Sequence, residues 1–517
     1  MIKLGTSTLT PLDVWTAAKT IATPDGGGAI GLSASSRERI EQSAQVVVRA
    51  VATGSPIYGI NTGVGALRCA VIESSHIRQF QINLLRSHAC GTGDPLPRAT
   101  VAAMWIHLLN SAAQGYRGIR LKTIETIIAL LNSGTLPVVP SQGSVGASGD
   151  LAPSAHAALA LIGEGHCTIP YNGGIRTIPA GEALMRLGLV PLQLEAKEAL
   201  SLMNGTQLTT SYACQVWTEA EQLWKTATLA LALSTFGFRA TPTASRTEVL
   251  ESHHPETLYA GLCKQEWFEG AALPYRNHNQ DPYCFRCAPQ VHGAVWKEIA
   301  QSEEWVTEEL GAATENPIVL IDTNEFVHGG NFHAIYPARV LDRLATAMTQ
   351  LASIAERRIN LGMDSRKTGL QDFLTPETGL NSGLMMTQAT AAALVSECKA
   401  LSFPASVDTI PTNCDQEDHV SMGPIAGKKA VQICRNVRAV LAIEILAAIQ
   451  AIHLRPQLLL PARLQRVYEL LREHVPPIEH DRIFSEDIQC IERLIETGVL
   501  LEVPAPCTSS MTRRATV

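Results

Sequence analysis

Charge is scarce in this chain. Only 17% of its 517 residues are charged and the formal net charge is -7, so the broad basic surface that nucleic acid demands is missing and nucleic acid is not an expected partner. The opening "MIKLGTSTLTPLDVW" has no apolar core of the secretory kind, and no leader is expected. Apolar runs long enough to cross a bilayer are also wanting, because the most apolar late stretch, 439–454, is broken by Glu444 and Gln450. No membrane partner is expected. The twelve cysteines show no disulfide-framework spacing, which suits a reducing compartment and a cytoplasmic location.

What the chain does have is apolar bulk. Hydrophobic residues make up 46% of it, and its length exceeds what one compact core usually holds, so two domains or one elongated helical body are expected. Apolar residues recur at helical spacing over 76–87, 99–113, 121–132, 207–235, 291–309, 334–359, 385–401 and 427–453. Several of these stretches are long and apolar nearly all round, which predicts helices buried against other helices. Strand signals are short, as at 175–179 and 318–321, and no strand–helix alternation supports a parallel sheet. The expected fold is mainly α, a long central helix bundle with a smaller loop-rich N-terminal part. The change of character near Gln207 suggests a boundary between 1–206 and 207–517.

Residues 141 to 156 read "SQGSVGASGDLAPSAH". Glycines at 143, 146 and 149 could serve a phosphate cradle, a turn, or a backbone reaction that tolerates no side chain. The phosphate reading fails, since no Gly-Lys-Ser/Thr follows and no lysine lies between Lys122 and Lys197. A turn or a reaction remains. "CFRC" at 284–287 is a lone pair where zinc normally wants four ligands, so it reads as structural. His328 and His333 in "HGGNFH" have neither the spacing nor the helix of a zinc motif and read as loop histidines.

Seven stretches occur together: "YGINTGVG" (58–65), "GASGDLAPSAH" (146–156), "NGTQ" (204–207), "DPYCFRCAPQ" (281–290), "TENP" (314–317), "GGNFHA" (329–334) and "QEDHVSM" (416–422). In combination they resemble the aromatic amino acid ammonia-lyase and aminomutase family, and most closely its histidine-acting members. The resemblance implies that Ala147-Ser148-Gly149 closes on itself to form 4-methylideneimidazol-5-one. It implies no pyridoxal phosphate and no required metal. The physical sense is that Gly149, without a Cβ, lets its amide approach a carbonyl two residues back in a strained turn. Ordinary side chains are nucleophiles, so an electrophile has to be made.

The same resemblance assigns roles residue by residue. Tyr58 is the expected base for the substrate's β-proton. Free phenols titrate near 10, so a tyrosine base near neutrality calls for a positive environment. Arg286 is the expected clamp for the substrate carboxylate, a planar guanidinium matching two oxygens. Tyr283 and Gln290 would support the prosthetic group and substrate, Asn204 would hydrogen-bond the prosthetic group, Phe332 would wall the pocket, and Gly65 would line it. A homotetramer with shared active sites is the implied assembly.

Substrate choice turns on Ser87-His88, which resembles the histidine-acting enzymes where tyrosine- and phenylalanine-acting relatives carry His-Leu and Phe-Leu. Glu417 adds a carboxylate, and both polar groups would be poorly satisfied by a phenyl ring. The expected reaction is elimination of ammonia from L-histidine to give urocanate. The alternatives are migration of the amine to give a β-amino acid, elimination from tyrosine or phenylalanine, or a non-catalytic scaffold. The chain departs from the histidine-acting pattern at Val64, Ile335-Tyr336, Phe403 and Asp415, which leaves the outcome of the reaction more open than the family.

Overall fold

Apolar periodicity translates almost directly into helices in the computed structural model, which describes residues 2–6, 8–269 and 280–503. The stretches read from sequence become Ile77–His88, Arg98–Ala112, Leu121–Asn132, Gln207–Gly237, Ala288–Leu310, Ile335–Gly362, Met385–Leu401 and Gly423–His453. The protein is mainly α: among the described residues there are nineteen α-helices, and the strands are short. They form three two-stranded sheets and one three-stranded sheet, the latter including the hairpin of His166–Tyr171 with Gly174–Pro179.

Two N-terminal helices were not foreseen. Pro11–Ala22 begins with a capping box, in which the Thr10 hydroxyl accepts from the Asp13 N–H, the Asp13 carboxylate accepts from the Thr10 N–H, and Pro11 opens the first turn. Ala34–Thr53 starts at the Ser33 cap and ends at Gly54 in the left-handed conformation (φ 68°). Its buried stripe of Ile40, Ala44 and Val47 is narrow, so capping chemistry identifies it better than hydrophobicity.

The chain divides into two compact units. The first comprises Met1–Thr218, Ser302–Asp342 and Pro404–Val431; the second comprises Glu219–Gln301, Arg343–Phe403 and Gln432–Val517. In the first, Val46, Val47, Ile60, Ile77, Ala196 and Val319 form a core cluster directly beneath the segment that carries Tyr58. In the second, Leu441, Ile443, Ile445, Leu446 and Ile449 on Gly423–His453 are fully buried, each contributing about 1.5–3 kcal/mol.

Gly423–His453 is long and apolar enough to cross a membrane, yet 83% of its most apolar window is buried inside the protein. The two polar interruptions of its apolar later half, Glu444 and Gln450, have internal partners. Glu444 accepts from Arg358 Nη2 at 2.9 Å and from Ser234 Oγ at 2.8 Å, with Arg358 and Glu444 both fully buried. Gln450 donates to the carbonyl of Ile478 and accepts from its N–H, each at 3.0 Å. Arg358 also donates to the carbonyl of Cys284, so this buried pair anchors the short helix Tyr283–Arg286.

Candidate active site

The turn at 146–149 is left-handed three times, at Gly146 (φ 78°), Ser148 (51°) and Gly149 (81°). For a serine this conformation is strained, which marks a built feature. It is held from several sides within the first unit. The Met422 N–H donates to Val145 O at 2.9 Å and the Asp150 N–H donates to Gly205 O at 2.7 Å. A Cβ on Gly149 would lie 2.1 Å from Gly205 O, so only glycine fits.

Around Ser148 two predicted residues converge. Asn204 Nδ2 donates to the Ser148 carbonyl at 2.9 Å, and Ser148 Oγ donates to Glu417 Oε1 at 2.6 Å. The second oxygen of Glu417 accepts from Thr412 Oγ1 at 2.9 Å. The Asn204 amide is itself fixed, since its Oδ1 accepts from the Asn316 N–H at 2.7 Å. Its backbone carbonyl accepts from Arg117 Nη1 at 3.1 Å.

Arg117 belongs to a fully buried cluster with Lys197 and Glu315, in which Lys197 Nζ lies 3.3 Å and Arg117 Nη1 3.7 Å from Glu315 Oε2. Burial pulls both cations down and pushes Glu315 up, and the opposite charge opposes the shift on each. Sequence reading gave this cluster no role, because three charges scattered over 117–315 carry no spacing signal. Asp150, next to the tripeptide, was also passed over. It is buried, takes hydrogen bonds on both oxygens from Thr209, and is pushed up to about 6 by desolvation against those bonds.

Tyr58 and Gly65 meet directly, the Gly65 N–H donating to Tyr58 Oη at 3.2 Å. His328 packs edge-on against the tyrosine ring at 5.4 Å. His328 and His333 do lie in a loop, and His333 Nε2 sits 3.1 Å from His419 Nδ1 beside the half-buried Phe332. Ser87 and His88 end the helix Ile77–His88. His88 Nδ1 lies 2.9 Å from the Leu84 carbonyl, which can only accept, so the proton is assigned to Nδ1 and Nε2 is left as an acceptor. Desolvation holds His88 below its ordinary range, against the Leu84 hydrogen bond and the negative field of Glu417.

Tyr283, Arg286 and Gln290 fall in the second unit. The Arg286 guanidinium lies over the Tyr283 ring at 5.3 Å and donates to Gln280 Oε1. Tyr283 is 70% exposed. Gln290 has a buried Oε1 without a hydrogen-bond partner among the described residues. A cavity of about 540 Å³ beside Tyr283 is lined by Cys287, Ile354, Arg357 and Lys367 among others.

The family model for aromatic amino acid lyases matches residues 15–473. The chain belongs to the aromatic amino acid lyase family. A member of this family from Deinococcus radiodurans, a histidine ammonia-lyase, is 43% identical over 92% of this chain and 91% of its own length. Histidine ammonia-lyase from Trypanosoma cruzi superposes with a TM-score of 0.88 at 35% identity, covering 97% of this chain and 94% of that one. Tyrosine aminomutase from Streptomyces globisporus superposes with a TM-score of 0.90 at 29% identity, covering 97% and 98%. Both outcomes of aromatic lyase chemistry therefore occur on this fold.

Proposed function

We propose that this lyase eliminates ammonia from L-histidine to give urocanate. The observation that carries the reading is Ser148, held in a left-handed turn between the Asn204 amide and the Glu417 carboxylate, in a chain 43% identical to a histidine ammonia-lyase. The turn suits closure of Ala147-Ser148-Gly149 into 4-methylideneimidazol-5-one: Gly149 presses on Gly205 with no room for a side chain, and Ser148 Oγ lies 2.6 Å from Glu417 Oε1, a carboxyl group placed to relay the proton that the hydroxyl needs to leave as water. That group supplies an electrophile for the substrate's nitrogen, which no unmodified side chain offers.

The chain's own residues do the rest. Tyr58 Oη takes the β-proton, and the Gly65 N–H, 3.2 Å away, orients that oxygen. Arg286 binds the substrate carboxylate in place of Gln280, its plane supported by the Tyr283 ring. His88 Nε2 accepts from the ring N–H of the substrate, while Glu417 provides the negative field that favours that N–H and Phe332 closes the pocket. Gln290 offers its Oε1, which has no hydrogen-bond partner among the described residues, to the bound amino acid. Ser87 steadies His88 at 3.0 Å. A cytoplasmic homotetramer with shared sites belongs to the same reading, and what supports it is the chain's membership of the family.

Incubation with L-histidine and chromatography of the products tests this. Urocanate with one equivalent of ammonia is expected. β-Histidine with little ammonia would mean an aminomutase, and coumarate or cinnamate formed only from tyrosine or phenylalanine would overturn the substrate.

A further inference from the structure

Between Thr412 and Glu417 the chain makes a tight loop closed at both ends. The Thr412 N–H donates to Glu417 O at 3.0 Å and the Glu417 N–H donates to Thr412 O at 3.3 Å. Inside it Asn413, Cys414 and Asp415 are all left-handed, at φ 53°, 52° and 60°. Three consecutive non-glycine residues in this region are costly, about 1–2 kcal/mol each for most side chains and least for Asn and Asp. The strain aims one side chain away from the loop. Asn413 Oδ1 accepts from the Ala66 N–H at 3.2 Å, and its amide lies so close over Gly65 that a Cβ there would meet Asn413 Nδ2 at 1.9 Å. Gly65 is the residue whose N–H donates to Tyr58 Oη.

We infer that Asn413 is a positioning residue for Tyr58. Its amide clamps the Gly65–Ala66 turn, so that the Gly65 N–H stays aimed at the phenol oxygen and the base stays in reach of the substrate. The loop that carries the clamp also carries Glu417 at its other end, so one short strained segment sets both the base and the carboxylate that meets Ser148. The inference rests on Tyr58 being the base.

Four variants test it: Asn413→Gly, Asn413→Ala, Asn413→Asp and Tyr58→Phe. Glycine keeps the left-handed backbone without strain and removes the amide that accepts from Ala66 and covers Gly65, and Asn413 is exposed, so no core is hollowed. Asn413→Gly should lower kcat about 10- to 100-fold with KM within twofold, the loss expected when a reacting group drifts by about an ångström. Its intact mass should still show the loss of two waters, and its melting temperature should match the parent. Asn413→Asp, which keeps an oxygen for the Ala66 N–H, should recover most of kcat, and Asn413→Ala should fall at least as far as glycine.

Asn413→Gly with parental kcat, beside an inactive Tyr58→Phe, would overturn the inference and leave the proposed reaction standing. Failure of Asn413→Gly to lose its waters would also overturn it, since Asn413 would then act on the tripeptide. An active Tyr58→Phe would remove the base, and the inference with it.

Discussion

Gly149→Ala is the substitution whose cost the geometry states most directly. The new methyl would lie 2.1 Å from Gly205 O, 2.7 Å from its carbonyl carbon and 2.9 Å from its nitrogen, where non-bonded heavy atoms ordinarily rest at about 3.5–4 Å. Backbone lies on both sides, so no side chain can swing away and the turn itself must retreat by more than ~1 Å. That retreat breaks the Asp150 N–H bond to Gly205 O and the Asn204 bond to Ser148 O, each worth about 1 kcal/mol net. The left-handed backbone (φ 81°) adds about 1–2 kcal/mol for alanine. The total is about 3–4 kcal/mol. Urea unfolding measures it, with Gly173→Ala as control: Gly173 has a similar φ of 72° and nothing within 4 Å of a new Cβ, so only the backbone part should be lost there. Intact mass provides the chemical readout, because a displaced turn should leave the two waters in place. A Gly149→Ala protein that sheds both waters and is no less stable than the Gly173 variant would refute the reasoning.

Three further outcomes follow from the structure. Glu444→Gln leaves the fully buried Arg358 facing a neutral amide and should cost about 3–5 kcal/mol in denaturant unfolding; a loss under ~1 kcal/mol would show that the pair is not needed. Glu309, pushed up to about 7 by burial and the nearby Asp150 charge against the Thr206 hydroxyl bond, binds its proton more tightly in the fold than in the unfolded chain. Its contribution is therefore full below the ordinary carboxylate range and is lost as pH rises through 7, so Glu309→Gln should flatten the stability–pH curve there and leave the protein more stable at pH 8 than the parent. His88→Leu removes the Nε2 acceptor and should cost about 1–3 kcal/mol in kcat/KM for L-histidine relative to L-tyrosine; an unchanged ratio would take His88 out of substrate choice.

The long helices were legible because their apolar residues repeat with proline confined to the first turn (Pro289, Pro337 and Pro424), and Leu121–Asn132 and Met385–Leu401 have the boundaries that periodicity predicts. Where a boundary moved, a turn decided it: Gly423–His453 starts four residues early because the left-handed Met422 (φ 52°) ends the preceding loop. Tyr58 and Gly65 are seven residues apart and could be read as one loop. Ser148 and Glu417 are 269 residues apart, and no spacing rule links them; only the resemblance brought them together. The resemblance could not supply Asn413 or the Arg117–Lys197–Glu315 cluster. Asn413, Arg117 and Lys197 act on backbone atoms of other segments, and a contact to backbone leaves no pattern in the residue it touches; Glu315 lies in the "TENP" stretch, but that stretch does not name its partners.

The polar interruptions of Gly423–His453 matter before folding is finished. A nascent chain presents this helix as a stretch apolar enough to pass for a membrane span, at a moment when Arg358 and Ile478 are not yet beside it. A charge near the middle of such a span opposes insertion by about 2.5–3.5 kcal/mol, so Glu444 disfavours the bilayer until its arginine arrives. The same carboxylate that completes the core thus also makes this stretch a poorer membrane span than its length and apolar composition suggest.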